Sequence, residues 1–180
     1  MLKLRDNLPW LCQGDIFGNA PIVDVGIAAS GEIQATIISG PAVLLTHDCD
    51  MDKPNRDGTP RAERLQFVRL RAVDVLPRDR QQTLRATRDR IAPYEVQYLG
   101  EISGFGESFI LFSDPYYVPT AHLEPVFVEY ESDGAQEGGH YLTAQKNDSR
   151  IGRLDILQLA LMRQKMSAFW ARIIEDQSTP

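Results

Sequence analysis

Cysteine is scarce in this chain. Only Cys12 and Cys49 are present, with no CxxC pair, so neither a disulfide framework nor zinc-ribbon spacing is on offer, and two free thiols in the reducing cytoplasm are expected. Histidine is nearly as rare, at His47, His122 and His140. No apolar run approaches the about 18 residues that a spanning helix needs, so no membrane partner is expected. The opening stretch MLKLRDNLPWLCQGDIF interrupts its apolar residues with Asp6 and Asn7 and offers no signal-peptide core. A basic excess is also missing. Lys and Arg total 19 against 25 acids, for a net charge of -6, which gives no general attraction to a phosphate backbone. Arginines concentrate between Arg56 and Arg90, so a local basic patch stays open.

What is present is ordinary globular text. A chain of 180 residues buries one substantial core, and residues 1–180 are expected to form one compact domain. IQATII (residues 33–38) and AVLLT (42–46) read as strands separated by a turn at SGP. Residues 47–64 form a polar loop, long enough for function. Further strands are expected in residues 65–76, 94–99, 107–112, 125–130 and 140–145. RDRQQTLRATRDRI places Leu84, Thr87 or Arg88, and Ile91 at helical spacing. Near the end, Leu159, Met162, Met166, Phe169, Trp170 and Ile173 advance by three or four residues, with Leu161 and Ile174 widening the stripe. That pattern predicts an amphipathic helix over residues 155–175, packed on the β domain and started by Asp155. Many short β segments with one terminal helix predict a mainly β fold: a small SH3-like barrel or strongly curved antiparallel sheet, with a short insert helix.

Three stretches are similar to the PemK/MazF-like growth inhibitors. QGDIF (13–17) resembles the family's opening Gly-Asp strand. GPAVLLTHD (40–48) resembles the strand that follows an Arg-Pro pair, and DSRIGRLD (148–155) resembles the approach to the last helix. The resemblance implies an SH3-like barrel with a C-terminal helix, toxin-antitoxin ancestry and, for toxic members, metal-independent endoribonuclease activity in a dimer neutralised by an antitoxin peptide. The family's pattern has an arginine before the proline, where this chain has Gly40 before Pro41. It also has a hydroxyl residue closing a later strand, which LQFVRLRAVDV does not supply. Asn55 fits the family's layout in the loop.

The densest polar cluster is HDCDMD, residues 47–52. Extended backbone would place Asp48, Asp50 and Asp52 on one face, able to hold a hard cation through oxygen, with His47 and Cys49 on the other. A calcium loop starting at Asp48 fails, because Lys53 falls where glycine is needed and Thr59 where the bidentate glutamate belongs. His47 and Cys49 supply half of a zinc site, or a base and nucleophile if the chain bends. The plainer reading is solvated acids at a strand end. In GEISGFGES (100–108), turn duty at a hairpin outweighs phosphate binding, since no Walker or dinucleotide pattern is present. Tyr116 and Tyr117 alternate faces, one toward the core and one toward a partner.

Three functions follow. The leading one is a regulatory or partner-binding domain that takes a protein partner through residues 47–60, with Asp50, Asn55, Arg56, Tyr116 and Tyr117 as contacts and no cofactor. The second is an endoribonuclease toxin, acting on RNA through Thr46 and one of the following arginines, Arg61 or Arg64, with a homodimer open; His47 and Cys49 are the separate candidate catalytic pair. The third is a metal-dependent hydrolase centred on residues 47–52.

Overall fold

The computed structural model describes residues 9–28, 30–130 and 139–177. In chain order the elements are β1 (Asp15–Ile27), β2 (Ile33–Leu44), α1 (Asp48–Met51), β3 (Arg64–Arg69), β4 (Arg71–Ala72) and α2 (Arg78–Arg85). They continue with β5 (Val96–Ile102), β6 (Gly106–Leu111), β7 (Pro115–Pro119), β8 (Pro125–Tyr130), β9 (Gly139–Ala144), β10 (Arg150–Arg153) and α3 (Ile156–Gln177). The protein is mainly β, with antiparallel sheets and a C-terminal helix. None of its described helices is long and apolar enough to cross a membrane.

The described residues group into two compact units. The first holds the residues up to Phe67 together with Tyr116–Arg153. Its sheet runs in the order β10-β1-β2-β3-β7, and β8 and β9 pair separately. The core of this unit is built from Leu11, Phe17, Leu44, Met51, Leu65, Phe67, Val118 and Leu142, and Phe17 meets Phe67 edge to face at 5.3 Å.

SGP is not a turn. β2 runs straight through it, and the chain reverses earlier, where Ala28 N–H donates to Glu32 O. Pro41 is accommodated because the β1–β2 register shifts there: Phe17 faces Ala42 and Ala20 faces Gly40. Gly18 and Asn19 bulge opposite the proline, so no ladder donor is required of it. Their amides donate instead to Ser149 O and Ser149 Oγ.

The second unit holds Val68–Pro115 and the residues from Leu154 on. Its sheet runs β4-β6-β5. β5 and β6 form the expected hairpin, with Ile102 opposite Gly106. Gly104 and Gly106 take φ of 82° and 70° in its turn, a region that L side chains avoid. α2 ends at Arg85, short of the expected Ile91, and buries a single apolar residue, Leu84. Asp155 starts α3, accepting from the amides of Leu157 at 2.9 Å and Gln158 at 2.8 Å.

The buried face of α3 differs from the expected stripe. Gln158, Met162 and Lys165 are buried, a run at i, i+4 and i+7. Leu159, Met166 and Phe169 are only half-buried, and Trp170 is exposed. The side chains of Ile173 and Ile174 lie outside the described residues. An apolar stripe locates a helical face to within about one residue's turn, and here two long polar side chains with partners in the sheet take the inner positions.

Candidate functional site

The segment Asp48–Met51 is helical, with His47 and Asp52 as its caps, which overturns the arrangement expected of an extended chain. His47 caps α1, its Nδ1 accepting from the Cys49 amide at 3.1 Å. With 3.6 residues per turn, Asp48 and Asp52 share a side and Asp50 turns away. Asp48 works inward: its Oδ1 accepts from Gln13 N–H at 2.7 Å. Gln13 is itself buried and donates from Nε2 to Leu45 O at 2.8 Å, so Asp48 fixes the turn that leads into β1. Asp50 and Cys49 are exposed.

Asp52 is half-buried, and its Oδ1 is buried without a hydrogen-bond partner. Desolvation first, and then the charge of Asp48, pushes its carboxyl up to about 6, against the Leu142 amide and His47. Nearby, burial pushes the Cys12 thiol up to about 12, which keeps it protonated and unreactive at neutral pH. Among the described residues no group of three or more His, Cys, Asp or Glu side chains is arranged to hold a metal ion. Asp48, Asp50 and Asp52 do not converge as a set of three, because the helix turns Asp50 away from the other two.

Beyond α1 the polar loop is a tied turn. Pro54 bridges to Pro60, Asn55 N–H donates to Thr59 O at 2.8 Å, and Arg61 N–H donates to Lys53 O at 3.0 Å. Asp57 accepts from both the amide and the hydroxyl of Thr59, at 3.0 and 2.7 Å. Asn55 Nδ2 donates to Thr59 Oγ1 at 3.1 Å. These bonds close the turn at exposed positions, and its outer surface, including Arg56, faces water. Thr46 joins β2 to β3, its Oγ1 accepting from Gln66 N–H at 2.7 Å. Arg61 and Arg64 are exposed. The two tyrosines alternate as expected: Tyr116 is half-buried and stacks on Phe67 with ring centres 5.9 Å apart, whereas Tyr117 is 55% exposed.

The sequence reading missed a buried ionic cluster. Asp15 is fully buried. Arg153 donates from Nε to its Oδ1 at 2.5 Å, and Cys12 N–H donates to its Oδ2 at 2.9 Å. Arg150 Nη1 stands 3.4 Å from Oδ2 and donates at 2.7 Å to Trp10 O, while its Nη2 reaches Asp148 at 2.6 Å. Burial raises the Asp15 carboxyl above its ordinary range, opposed by the hydrogen bond and charge of Arg153 and by the charge of Arg150. The signal was present in QGDIF and DSRIGRLD, which pair as neighbouring strands with Asp15 opposite Arg153. Their conjunction is structural: it closes β10 onto β1 and ties down the chain around Trp10.

Gly40 has a local cause. A Cβ there would stand 3.0 Å from Cδ1 of Ile22, so an arginine before Pro41 would require that side chain to move. In the second unit, α2 is too short and polar to cover its sheet, and a cavity of about 560 Å³ opens over Val96, Phe109 and Leu111, with Arg71 and Arg80 among its lining. Arg71 is held by Asp114 at 2.6 Å.

No protein-family model matches the chain, and no curated protein or solved structure matches it.

Proposed function

We propose that this chain is a partner-binding domain whose recognition element is the tied turn of residues 47–60. One observation carries the reading: the turn is exposed and strongly polar, yet it is closed by its own backbone and side-chain hydrogen bonds. A segment ordered before binding loses little conformational entropy on docking, so a modest set of contacts suffices. Asp50, Arg56 and Tyr117 present an acid, a guanidinium and a phenol to solvent, and Asn55 shapes the turn. Such a surface suits a protein segment that brings both a cation and hydrogen-bonding groups. Descent from a PemK/MazF-like barrel belongs to the same proposal and is supported by the meeting of QGDIF and DSRIGRLD on adjacent strands. Two free cysteines suit a reducing compartment.

The test compares the wild-type chain with an Asp50→Lys, Arg56→Glu variant in quantitative capture from a cell extract, followed by binding to the captured protein after purification. The variant should fold normally and lose that protein. Equal binding by both chains sinks the proposal. So does RNA cleavage that disappears in Thr46→Ala, or hydrolysis that requires a stoichiometric metal.

A further inference from the structure

The sheet β4-β6-β5 of the second unit is covered unequally on its two faces. Val96 pairs with Leu111 and Tyr98 with Phe109, and the pleat sends these four side chains to one side. Between them Gln97 takes the other side, toward α3, where its Nε2 donates to Gln158 O at 3.0 Å and to Gln158 Oε1 at 2.8 Å. On the first side Val73 and Leu84 bury Tyr98 and Phe109, while Val96, Leu111 and Leu76 stay only partly buried. The cavity of about 560 Å³ opens over that thinly covered end, and its size lies within the range of about 300–1,000 Å³ usual for small-molecule sites. Three ionic side chains line it: Arg71, Arg80 and Glu95. Arg71 is paired with Asp114 at 2.6 Å. Arg80 and Glu95 have no side-chain partner among the described residues. Arg85, further along α2, is drawn off by Glu107, which also accepts from Tyr98 OH at 2.6 Å. Thr83 and Thr87 line the cavity too, and their hydroxyls donate to Asp79 O at 3.0 Å and Leu84 O at 2.6 Å. Toward a ligand they therefore offer lone pairs only.

We propose that this cavity binds a small zwitterion with an apolar body, the chemistry of a hydrophobic amino acid or of a short peptide made of such residues. Its carboxylate meets Arg80, its ammonium meets Glu95, and its side chain lies over Val96, Phe109 and Leu111. The charge pattern selects this class. One open cation and one open anion complement a ligand that brings one of each, whereas a fatty acid meets a like charge at Glu95 and a simple amine meets one at Arg80. The planar guanidinium fork matches a carboxylate, and the threonine lone pairs suit the N–H groups of an ammonium. Arg80 and Glu95 are exposed, so neither ionic contact holds a ligand by itself. Affinity comes from meeting both while the apolar body covers the open end of the sheet.

Isothermal titration of the full chain with phenylalanine, phenylpropionate and phenylethylamine isolates each charge, and leucyl-phenylalanine distinguishes a peptide from a free amino acid. The tighter of the two zwitterions identifies the source, and it should bind roughly 10-fold more tightly than either singly charged analogue. Arg80→Gln should weaken the zwitterion and phenylpropionate by roughly 10-fold and leave phenylethylamine no weaker. Glu95→Gln should weaken the zwitterion and phenylethylamine and spare phenylpropionate. Val96→Trp fills the floor and should abolish binding of every probe with an unchanged circular dichroism spectrum. No binding by any probe, a singly charged analogue that binds as tightly as the zwitterion, or charge variants that leave the affinities unchanged overturns the proposal. So does self-association of the chain that Val96→Trp abolishes, since a second copy would then be the occupant.

Discussion

Asp15 and Lys165 are both buried charges, and the two units of the chain satisfy them by different means. Asp15 sits at the β1–β10 pairing with two guanidiniums and a backbone amide aimed at it. Lys165, on the inner face of α3, meets neutral dipoles instead: its Nζ donates to Pro93 O and Val96 O, each at 2.8 Å. Desolvation lowers the lysine to about 8. A buried pair shares the cost of leaving water between opposite charges, whereas a lone cation can shed that cost by losing its proton. The first unit therefore holds a fixed ionic clamp, and the second holds a titratable one.

The sharpest way to break this comparison is to remove one partner from each site. Arg153→Met leaves Asp15 buried beside the more distant Arg150, and should cost about 3–5 kcal/mol in urea unfolding. Lys165→Met keeps the packing but orphans two carbonyls, and should cost about 2 kcal/mol at neutral pH. If the two variants lose the same stability, the partner charge carries no special weight in the first unit.

Titration sharpens the contrast further. The folded-state value of Lys165 lies below the ordinary lysine value, so the folded chain gives up this proton first. Its contribution to stability should rise as the pH climbs from about 8 toward the lysine range of about 10.4, and the rise should be absent from Lys165→Met. Asp52 has the opposite sign. Its folded value, about 6, lies above the ordinary carboxylate range, so its ionised form is the disfavoured one. Stability should fall as the pH rises from the ordinary carboxylate range through about 6, by no more than about 1 kcal/mol once solvent screening of this half-exposed group is allowed for. Asp52→Asn should flatten that part of the profile, and thermal melts between acid and neutral pH will show it. At the bottom of the scale, Asp50→Ala touches only water and should shift stability by less than about 0.5 kcal/mol.

Much of the local structure was legible in the sequence. IQATII and AVLLT marked β2, although as two strands and not one, the glycines of GEISGFGES marked the β5–β6 turn, and Asp155 marked the start of α3. Each of these depends on neighbours within a few positions, where backbone sterics and capping bonds act. The same local rules misplaced the turn at SGP and left HDCDMD extended. Glycine and proline were read as a reversal when they serve a register shift, and a helix of four residues is too short to show a period.

Only the tertiary structure decided the rest. Asp15 and Arg153 are 138 positions apart and Lys165 lies 72 from Pro93; QGDIF and DSRIGRLD hold the two partners of the first site, but only the pairing of β1 with β10 brings them together. Nor did the apolar residues of IQATII reveal that Ile33 and Ile37 stay exposed. Periodicity specifies which side of a strand or helix is apolar. Whether that side meets a core, a cavity or water depends on the closure of long loops, and that is settled by the balance of chain entropy against burial over the whole fold.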